Sequence, residues 1–127
     1  MSVTIKSAQE IELMREAGRI LAAVHQELGK AIKPGMSTLD VDHLGEEIIR
    51  SYGCEPSFLN YCGYPASICV SVNDEVVHGI PRADRIIKEG DIVIRQGAID
   101  LIGGNVQKFF ALLKGSIRKL PCSLCTV

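Results

Sequence analysis

Residues 61–81 of this chain read YCGYPASICVSVNDEVVHGIP, and this stretch decides the fold. Residues 68–72 (ICVSV) have the composition and partial alternation of a β-strand. Asn73 and Asp74 are turn residues. Residues 75–79 are therefore expected to return as the second strand of an antiparallel hairpin, which ends at the following Ile-Pro pair.

A long amphipathic helix is predicted upstream of this hairpin. Residues 7–32 carry apolar side chains at steps of three and four residues. Ser7 and Glu10 fit a capping box at its start. The Lys-Pro-Gly run at residues 33–35 ends the helix, because proline lacks the amide hydrogen that a helix needs.

A second helix and further strands complete the pattern. This helix is expected to start near Ser37 or Thr38 and to be capped at its end by Gly53. Strands are expected at residues 91–94 and again at 98–102. Because helices come first and strands afterwards, the sequence predicts an α+β class.

The composition indicates one ordinary globular domain. The chain has 127 residues, of which 46% are apolar and 23% charged. The formal net charge of −1 provides no basic field, so direct nucleic-acid or membrane binding is not expected. A polar N-terminus and the lack of a membrane-length apolar run predict a cytoplasmic location.

Histidines and acidic residues are the first candidates for chemistry. His78 stands at a predicted strand end, where it can donate a hydrogen bond to a substrate carbonyl or carry a proton. The alternative is a partly buried strand histidine that hydrogen-bonds to backbone. His25 and His43 are expected at the surface or boundary of their helices. Asp40 and Asp42 are explained by the helix dipole.

The chain has five cysteines, the first of them Cys54, and most are expected to be reduced thiols. Cys122 and Cys125 form a CxxC pair, which suits zinc only if further ligands join it. Cys54, Cys62 and Cys69 have irregular spacing and are expected to be small buried or inert thiols.

The opening stretch closely resembles type I methionine aminopeptidase. The resemblance continues through residues 88–93 (KEGDIV) and includes residues 11–18 (IELMREAG) and 34–38 (PGMST) upstream. It covers about residues 4–100. It implies half of a pita-bread fold, two N-terminal helices followed by an antiparallel sheet. The implied activity is metal-dependent hydrolytic removal of the initiator methionine from nascent proteins.

The resemblance also implies site residues. In that family two divalent ions (Co, Mn, Fe or Zn) are held by Asp, Asp, His, Glu and Glu, and they activate the attacking water. His78 matches the family histidine that contacts the substrate and is the expected catalytic residue. Phe58, Tyr61 and Tyr64 match residues that line the pocket for the methionine side chain.

The pattern departs from the family at the metal ligands. The family continues from Gly-Asp-Ile-Val into Ile-Asp-x-Gly, whereas residues 94–97 read IRQG. Arg95 takes the place of the first ligand, and a guanidinium cannot bind a cation. Asp100 is out of register, and residues 103–107 (GGNVQ) offer no carboxylate. No metal ligand is therefore assigned in this chain, which is expected not to bind metal at the family site.

These observations give two main hypotheses. Residues 1–104 are interpreted as the amino-terminal half of a methionine aminopeptidase-like domain, and residues 105–127 as a tail without family resemblance, arising from a shifted reading frame or an early terminus. Such a chain is expected to be catalytically impaired. Its expected partners are peptides or nascent proteins that start with Met, near the ribosome. It is also expected to self-associate through an exposed sheet edge. The alternative is a non-catalytic peptide- or protein-binding module. A CxxC metal-binding module is a third hypothesis.

Overall fold

The structure is a computed structural model, and it describes residues 5–76, 78–101 and 110–119. Two α-helices precede four strands, and a short 3-10 turn lies between the first two strands. The elements are α1 (Ala8–Ala31), α2 (Thr38–Ser51), β1 (Cys54–Pro56), the turn Tyr61–Gly63, β2 (Ile68–Val72), β3 (Ile92–Leu101) and β4 (Phe110–Lys119).

Capping boxes begin both helices. At α1 the Glu10 amide donates to Ser7 Oγ over 3.2 Å, and the Ser7 amide donates to Glu10 Oε2 over 2.7 Å. The same arrangement joins Ser37 and Asp40 at α2. Gly53, with φ +70°, follows the end of α2 and permits the left-handed turn there. The predicted helix boundaries are confirmed because these signals are local in the sequence.

The sheet is antiparallel and is centred on β3. β1 pairs with the end of β3 (Cys54 opposite Leu101), and β2 pairs with its first half (Ile68 opposite Gly97, Val72 opposite Val93). β4 pairs along the other edge of β3. The α+β class is confirmed, but β3 is one continuous strand where the sequence predicted two short ones.

The predicted hairpin is wrong in its second strand. Among the described residues of 75–79, none is part of a strand. This segment stays beside β2 because the Val70 amide donates to the Gly79 carbonyl over 2.9 Å, and the Gly79 amide donates to Ser71 Oγ over 3.1 Å. His78 has φ +58°, which is incompatible with extended backbone. The left-handed residue therefore interrupts the strand.

Both helices pack on one face of the sheet and enclose the core. Each fully buried Leu, Ile or Val side chain contributes about 1.5–3 kcal/mol relative to an exposed one. The core contains Leu21, Val24, Leu28 and Ile32 from or next to α1, Val41 and Ile49 from α2, and Ile68, Val70, Val72, Val93 and Ile99 from the sheet. The two helices therefore do not cover the opposite face of β2 and β3.

β4 lies in the segment expected to be a tail. The sequence left residues 106–113 open between helix and strand, and those from Phe110 onward form part of β4. Cys122, Cys125 and the turn expected at residues 103–105 lie outside the described residues. In the part of the chain that the structure describes, no helix has the length and apolar character needed to cross a membrane.

Candidate functional site

The four site residues expected from the sequence lie around one cavity. Phe58, Tyr61, Tyr64 and His78 line a space of about 250 Å³ together with Cys69. This volume is below the roughly 300–1,000 Å³ of sites for drug-sized ligands, so it suits a single amino-acid side chain. Aromatic rings and a thiol make up most of the wall, which favours an apolar guest.

Tyr64 is fixed at the centre of this wall. Its hydroxyl donates to the Ile68 carbonyl over 3.0 Å, which ties the loop to the first residue of β2. Its ring meets Phe58 edge-to-face, with centroids 6.2 Å apart and an interplanar angle of 83°. Such a pair contributes about 0.5–1.5 kcal/mol beyond area burial. Burial is the main cause that raises the pKa of Tyr64, so its hydroxyl stays neutral.

A left-handed turn presents Tyr61 at the rim. Asn60 and Cys62 have φ of +62° and +49°, and Gly63 follows with +80°. The Asn60 amide donates to the Tyr64 carbonyl over 2.9 Å and closes this turn. Asn tolerates such backbone, whereas Cys is strained in it, and strain of this kind is concentrated near functional sites. Tyr61 is left 70% exposed at the cavity mouth.

His78 stands on the opposite side of the cavity and contacts Cys69. The residue is exposed, and its Nδ1 lies 3.7 Å from Cys69 Sγ. The alternative of a partly buried strand histidine is therefore wrong, since His78 is neither buried nor in a strand. Cys69 itself is 3% exposed, and burial raises the pKa of its thiol.

Cys69 is the site residue that the sequence interpretation missed. It was expected to be an inert thiol, but it lines the cavity. The available signal was the alternation of β2, in which Ile68, Val70 and Val72 enter the core. Cys69, between them, must face the other way. The three described cysteines are free, as expected.

The register of β3 with β2 sets the face of the sheet on which each β3 side chain lies. Gln96 is paired with Cys69, so both side chains project to the same face. Arg95 projects to the helical face and is 1% exposed. A Cβ built on Gly29 of α1 would lie 2.8 Å from Arg95 Nη1. Gln96 therefore lies on the same face as Cys69, whereas Arg95, which takes the place of the first family ligand in the sequence, lies on the helical face.

The residues present do not fit a two-ion centre. Neither Arg95 nor Gln96 is an anionic ligand. Within residues 5–76, 78–101 and 110–119, no group of three or more His, Cys, Asp or Glu side chains is placed to hold a metal ion. The described residues of the site support apolar binding with hydrogen bonding.

Two further sequence expectations need correction. His25 is 6% exposed in α1, where a surface or boundary position was expected, whereas His43 is exposed. Asp42 has a structural role beyond the helix dipole. Its carboxylate accepts the amides of Ser67 and Ile68 over 2.9 and 2.8 Å, which anchors the entry into β2. Burial raises the pKa of Asp42, against the lowering effect of these hydrogen bonds.

Residues 12–101 match the family model described as metallopeptidase family M24, and the chain belongs to this family. Among its curated relatives are methionine aminopeptidases. The protein from Clostridium acetobutylicum is 50% identical over 91 residues, and methionine aminopeptidase 1 from Bacillus subtilis is 52% identical over 91 residues. Each alignment covers 72% of this chain and 36% of the relative. The chain therefore spans about a third of the length of these relatives.

Solved structures agree with this assignment. The crystal structure of methionine aminopeptidase from Thermotoga maritima matches 96% of this chain and 47% of its own, with a TM-score of 0.77 and 35% identity. An X-Pro aminopeptidase from the same organism shares 18% identity at a TM-score of 0.67, which shows the fold alone. The expected pita-bread architecture and the resemblance to methionine aminopeptidases over the N-terminal part are thus confirmed.

Proposed function

We propose that this chain recognises the N-terminus of a peptide or nascent protein that begins with methionine. The methionine side chain would enter the cavity lined by Phe58, Tyr61, Tyr64, Cys69 and His78. The observation that carries the proposal is the apolar cavity of about 250 Å³, whose aromatic walls and thiol suit a thioether. Sulfur–aromatic contacts of this kind contribute about 0.3–1.5 kcal/mol.

His78 is proposed to bind the peptide backbone. Its ring stands at the edge of the cavity, beside a second, more polar groove that it also lines with Glu75, Arg82 and Arg85. A peptide whose first side chain fills the apolar cavity would pass this ring. His78 would then donate a hydrogen bond to the carbonyl of the first residue, and it would be the catalytic residue in any hydrolysis by this chain.

Hydrolysis by this chain is proposed to be impaired. The relatives are named methionine aminopeptidases, and metallopeptidase family M24 implies a divalent metal. Where the resemblance expects an aspartate, residues 94–97 (IRQG) offer no carboxylate. We also propose that residues 1–104 correspond to the amino-terminal half of a methionine aminopeptidase-like domain, and that the chain self-associates through a sheet edge. Action on nascent proteins would place the chain in the cytoplasm near the ribosome.

Calorimetric titration with a short Met-Gly peptide tests recognition. We expect binding to the wild-type chain and no binding of the matching Ser-Gly peptide, because serine cannot fill the apolar cavity. Tyr61→Ala should weaken binding several-fold. Tyr52→Ala is the matched control, since Tyr52 is also an exposed tyrosine but lies at the end of α2, outside the cavity lining. Equal binding of both peptides would contradict the proposal.

Release of methionine from the same peptide, with Co(II) or Mn(II) in excess, tests catalysis. Release that is lost in His78→Ala would show that a metal centre forms from other residues of the chain, and the proposed impairment would be wrong. Binding without release would favour the second candidate, a non-catalytic peptide-binding module. The departure of residues 94–97 from the family pattern is the observation that favours this candidate.

A further inference from the structure

Cys69 and His78 contact each other in the wall of the cavity, and binding of an apolar side chain does not require this polar contact. We infer that Cys69 is a positioning residue, whose thiol donates to Nδ1 of His78 and so places the imidazole proton on Nε2, where it can reach the peptide. This inference rests on the proposed function, because it names the group that prepares His78 for a backbone hydrogen bond.

The direction of the hydrogen bond follows from the two groups. The Sγ to Nδ1 distance of 3.7 Å is within the range of a sulfur hydrogen bond. A neutral thiol is a weak donor and a poor acceptor, whereas an unprotonated imidazole nitrogen is a good acceptor. Burial raises the pKa of Cys69, so the thiol keeps its proton. The favoured arrangement is S–H to Nδ1.

Tyr64 is a weaker acceptor for the proton of the Cys69 thiol than His78 is. Its hydroxyl proton is donated to the Ile68 carbonyl, so it is not available to the sulfur of Cys69. Interaction with the Tyr64 hydroxyl lowers the pKa of Cys69, against the larger raising effect of burial. A phenol oxygen is far less basic than an imidazole nitrogen, so His78 is the better acceptor.

The backbone holds the ring in place for this contact. His78 adopts φ +58°, and the next residue, Gly79, is bound on both sides to β2. A Cβ at Gly79 would lie 2.3 Å from the Val70 carbonyl oxygen, so the chain runs as close to β2 as a glycine allows. Nδ1 therefore faces β2 and Cys69. The two ring nitrogens have different environments, which is what selects one tautomer.

Long-range ¹H–¹⁵N correlation spectra of the full chain with ¹⁵N-labelled histidine test the inference directly. The chain has three histidines, and His78→Gln identifies the His78 signals. Spectra are recorded at about pH 8.5, above the ordinary imidazole pKa of about 6.5. We expect the Nε2–H pattern for His78 in the wild-type chain and a shift toward the mixed pattern in Cys69→Ala. Cys69→Ser, which keeps a hydroxyl donor, should restore most of the Nε2–H pattern.

Cys54→Ala is the matched control, because Cys54 is also a buried thiol of the sheet but donates to the Tyr52 carbonyl. It should leave the His78 spectrum unchanged. If Cys69→Ala does not fold, Cys69→Val fills the space without a donor and takes its place. A predominant Nδ1–H pattern in the wild-type chain would overturn the inference, and so would an unchanged pattern in the donor-free variant.

Peptide affinity separates this inference from the proposed function. Cys69→Ala should weaken binding of the Met-Gly peptide about fivefold, the value of one ordinary hydrogen bond, and Cys69→Ser should recover it. If the wild-type chain binds no Met-Gly peptide, the proposed function fails, while the spectra still decide the tautomer. If the peptide binds and the spectra do not respond to Cys69, only the inference fails.

Discussion

His25 is a histidine enclosed between a helix and the central strand. It is 6% exposed, and neither ring nitrogen has a hydrogen-bond partner among the described residues. A Cβ at Gly97 of β3 would lie 3.5 Å from its Nε2, an ordinary van der Waals distance, so the ring packs against β3 at this glycine. Burial first, and the nearby Arg95 charge second, lower the pKa of His25 to about 4.

This environment predicts a loss of stability in mild acid. The unfolded chain takes up a proton near the ordinary value of 6.5, whereas the folded chain resists protonation down to about 4. The contribution of neutral His25 to the free energy of unfolding is therefore fully present above pH 6.5. It is lost as the pH drops toward 4. At about pH 5 we expect a loss of about 2 kcal/mol, measured by urea denaturation.

His25→Met supplies the comparison for this prediction. Methionine fills a similar space without a titrating group, so the variant should lose much less stability between neutral and acidic pH. The remaining slope belongs to carboxyl groups such as Asp42. An identical pH dependence in both proteins would show that His25 is not the group responsible.

The sequence could not predict this burial, because the position of His25 in α1 is at the edge of the apolar stripe. Leu21, Val24 and Leu28 define the stripe by their spacing and are buried as expected. Whether a residue at the edge of the apolar stripe is buried or exposed depends on which residue of the sheet packs against it. That partner, Gly97, lies far along the chain and carries no periodic signal.

At the scale of elements, the packing of α1 on β3 depends on one arginine. Arg95 is among the largest fully buried side chains, and its guanidinium lies against Gly29. A Cβ at Gly29 would approach Nη1 and Nη2 to 2.8 and 3.3 Å. The helix therefore needs glycine at the point where the arginine lies beneath it.

We predict that Gly29→Ala destabilises the chain by about 1–2 kcal/mol, although alanine is the better helix former. Gly18→Ala in the same helix has open space around the new methyl group and should stabilise by about 0.5–1 kcal/mol. Urea denaturation of both variants measures the difference. In an Arg95→Met background the penalty at Gly29 should largely disappear. A stabilising Gly29→Ala would mean that Arg95 projects to the other face of β3.

Gly79 makes a second close contact, beside β2. Its Cβ would lie 2.3 Å from a backbone oxygen, that of Val70, rather than from the end of a flexible side chain. We expect Gly79→Ala to cost about 3 kcal/mol or more, because β2 must move to accommodate it. Thermal and urea denaturation, with Gly18→Ala as the control, measure this cost. A loss below that of Gly29→Ala would contradict the close approach.

Local and long-range signals explain which elements were predictable. Helix starts depend on residues three positions apart, such as Ser37 and Asp40, and the sequence placed them correctly. The second hairpin strand was wrong because the left-handed backbone at His78 is imposed by contacts with β2. The cavity residues were identified through family resemblance. Cys69 requires knowledge of which face of β2 is covered.

For the whole molecule, the main feature is that β4 is an edge strand of the sheet in the part of the chain that the structure describes. This strand has ten residues and runs beside β3, and within the described part of the chain no strand pairs with its other edge. An unpaired strand edge of this length spans about 33 Å and offers amide and carbonyl groups to another chain. The relatives, of which this chain spans about a third, continue well beyond the matched region.

We predict that the chain self-associates by pairing the free edge of β4 with that of a second copy. In an isolated chain, the amides of Phe110–Lys119 that point away from β3 exchange with solvent, and the alternate ones are protected. Pairing of two copies would protect both sets. Light scattering should show a mass that rises with concentration, and hydrogen–deuterium exchange should show protection of the outward amides over the same range. A compact monomer at every concentration, in which the amides that point away from β3 exchange freely, would exclude this association.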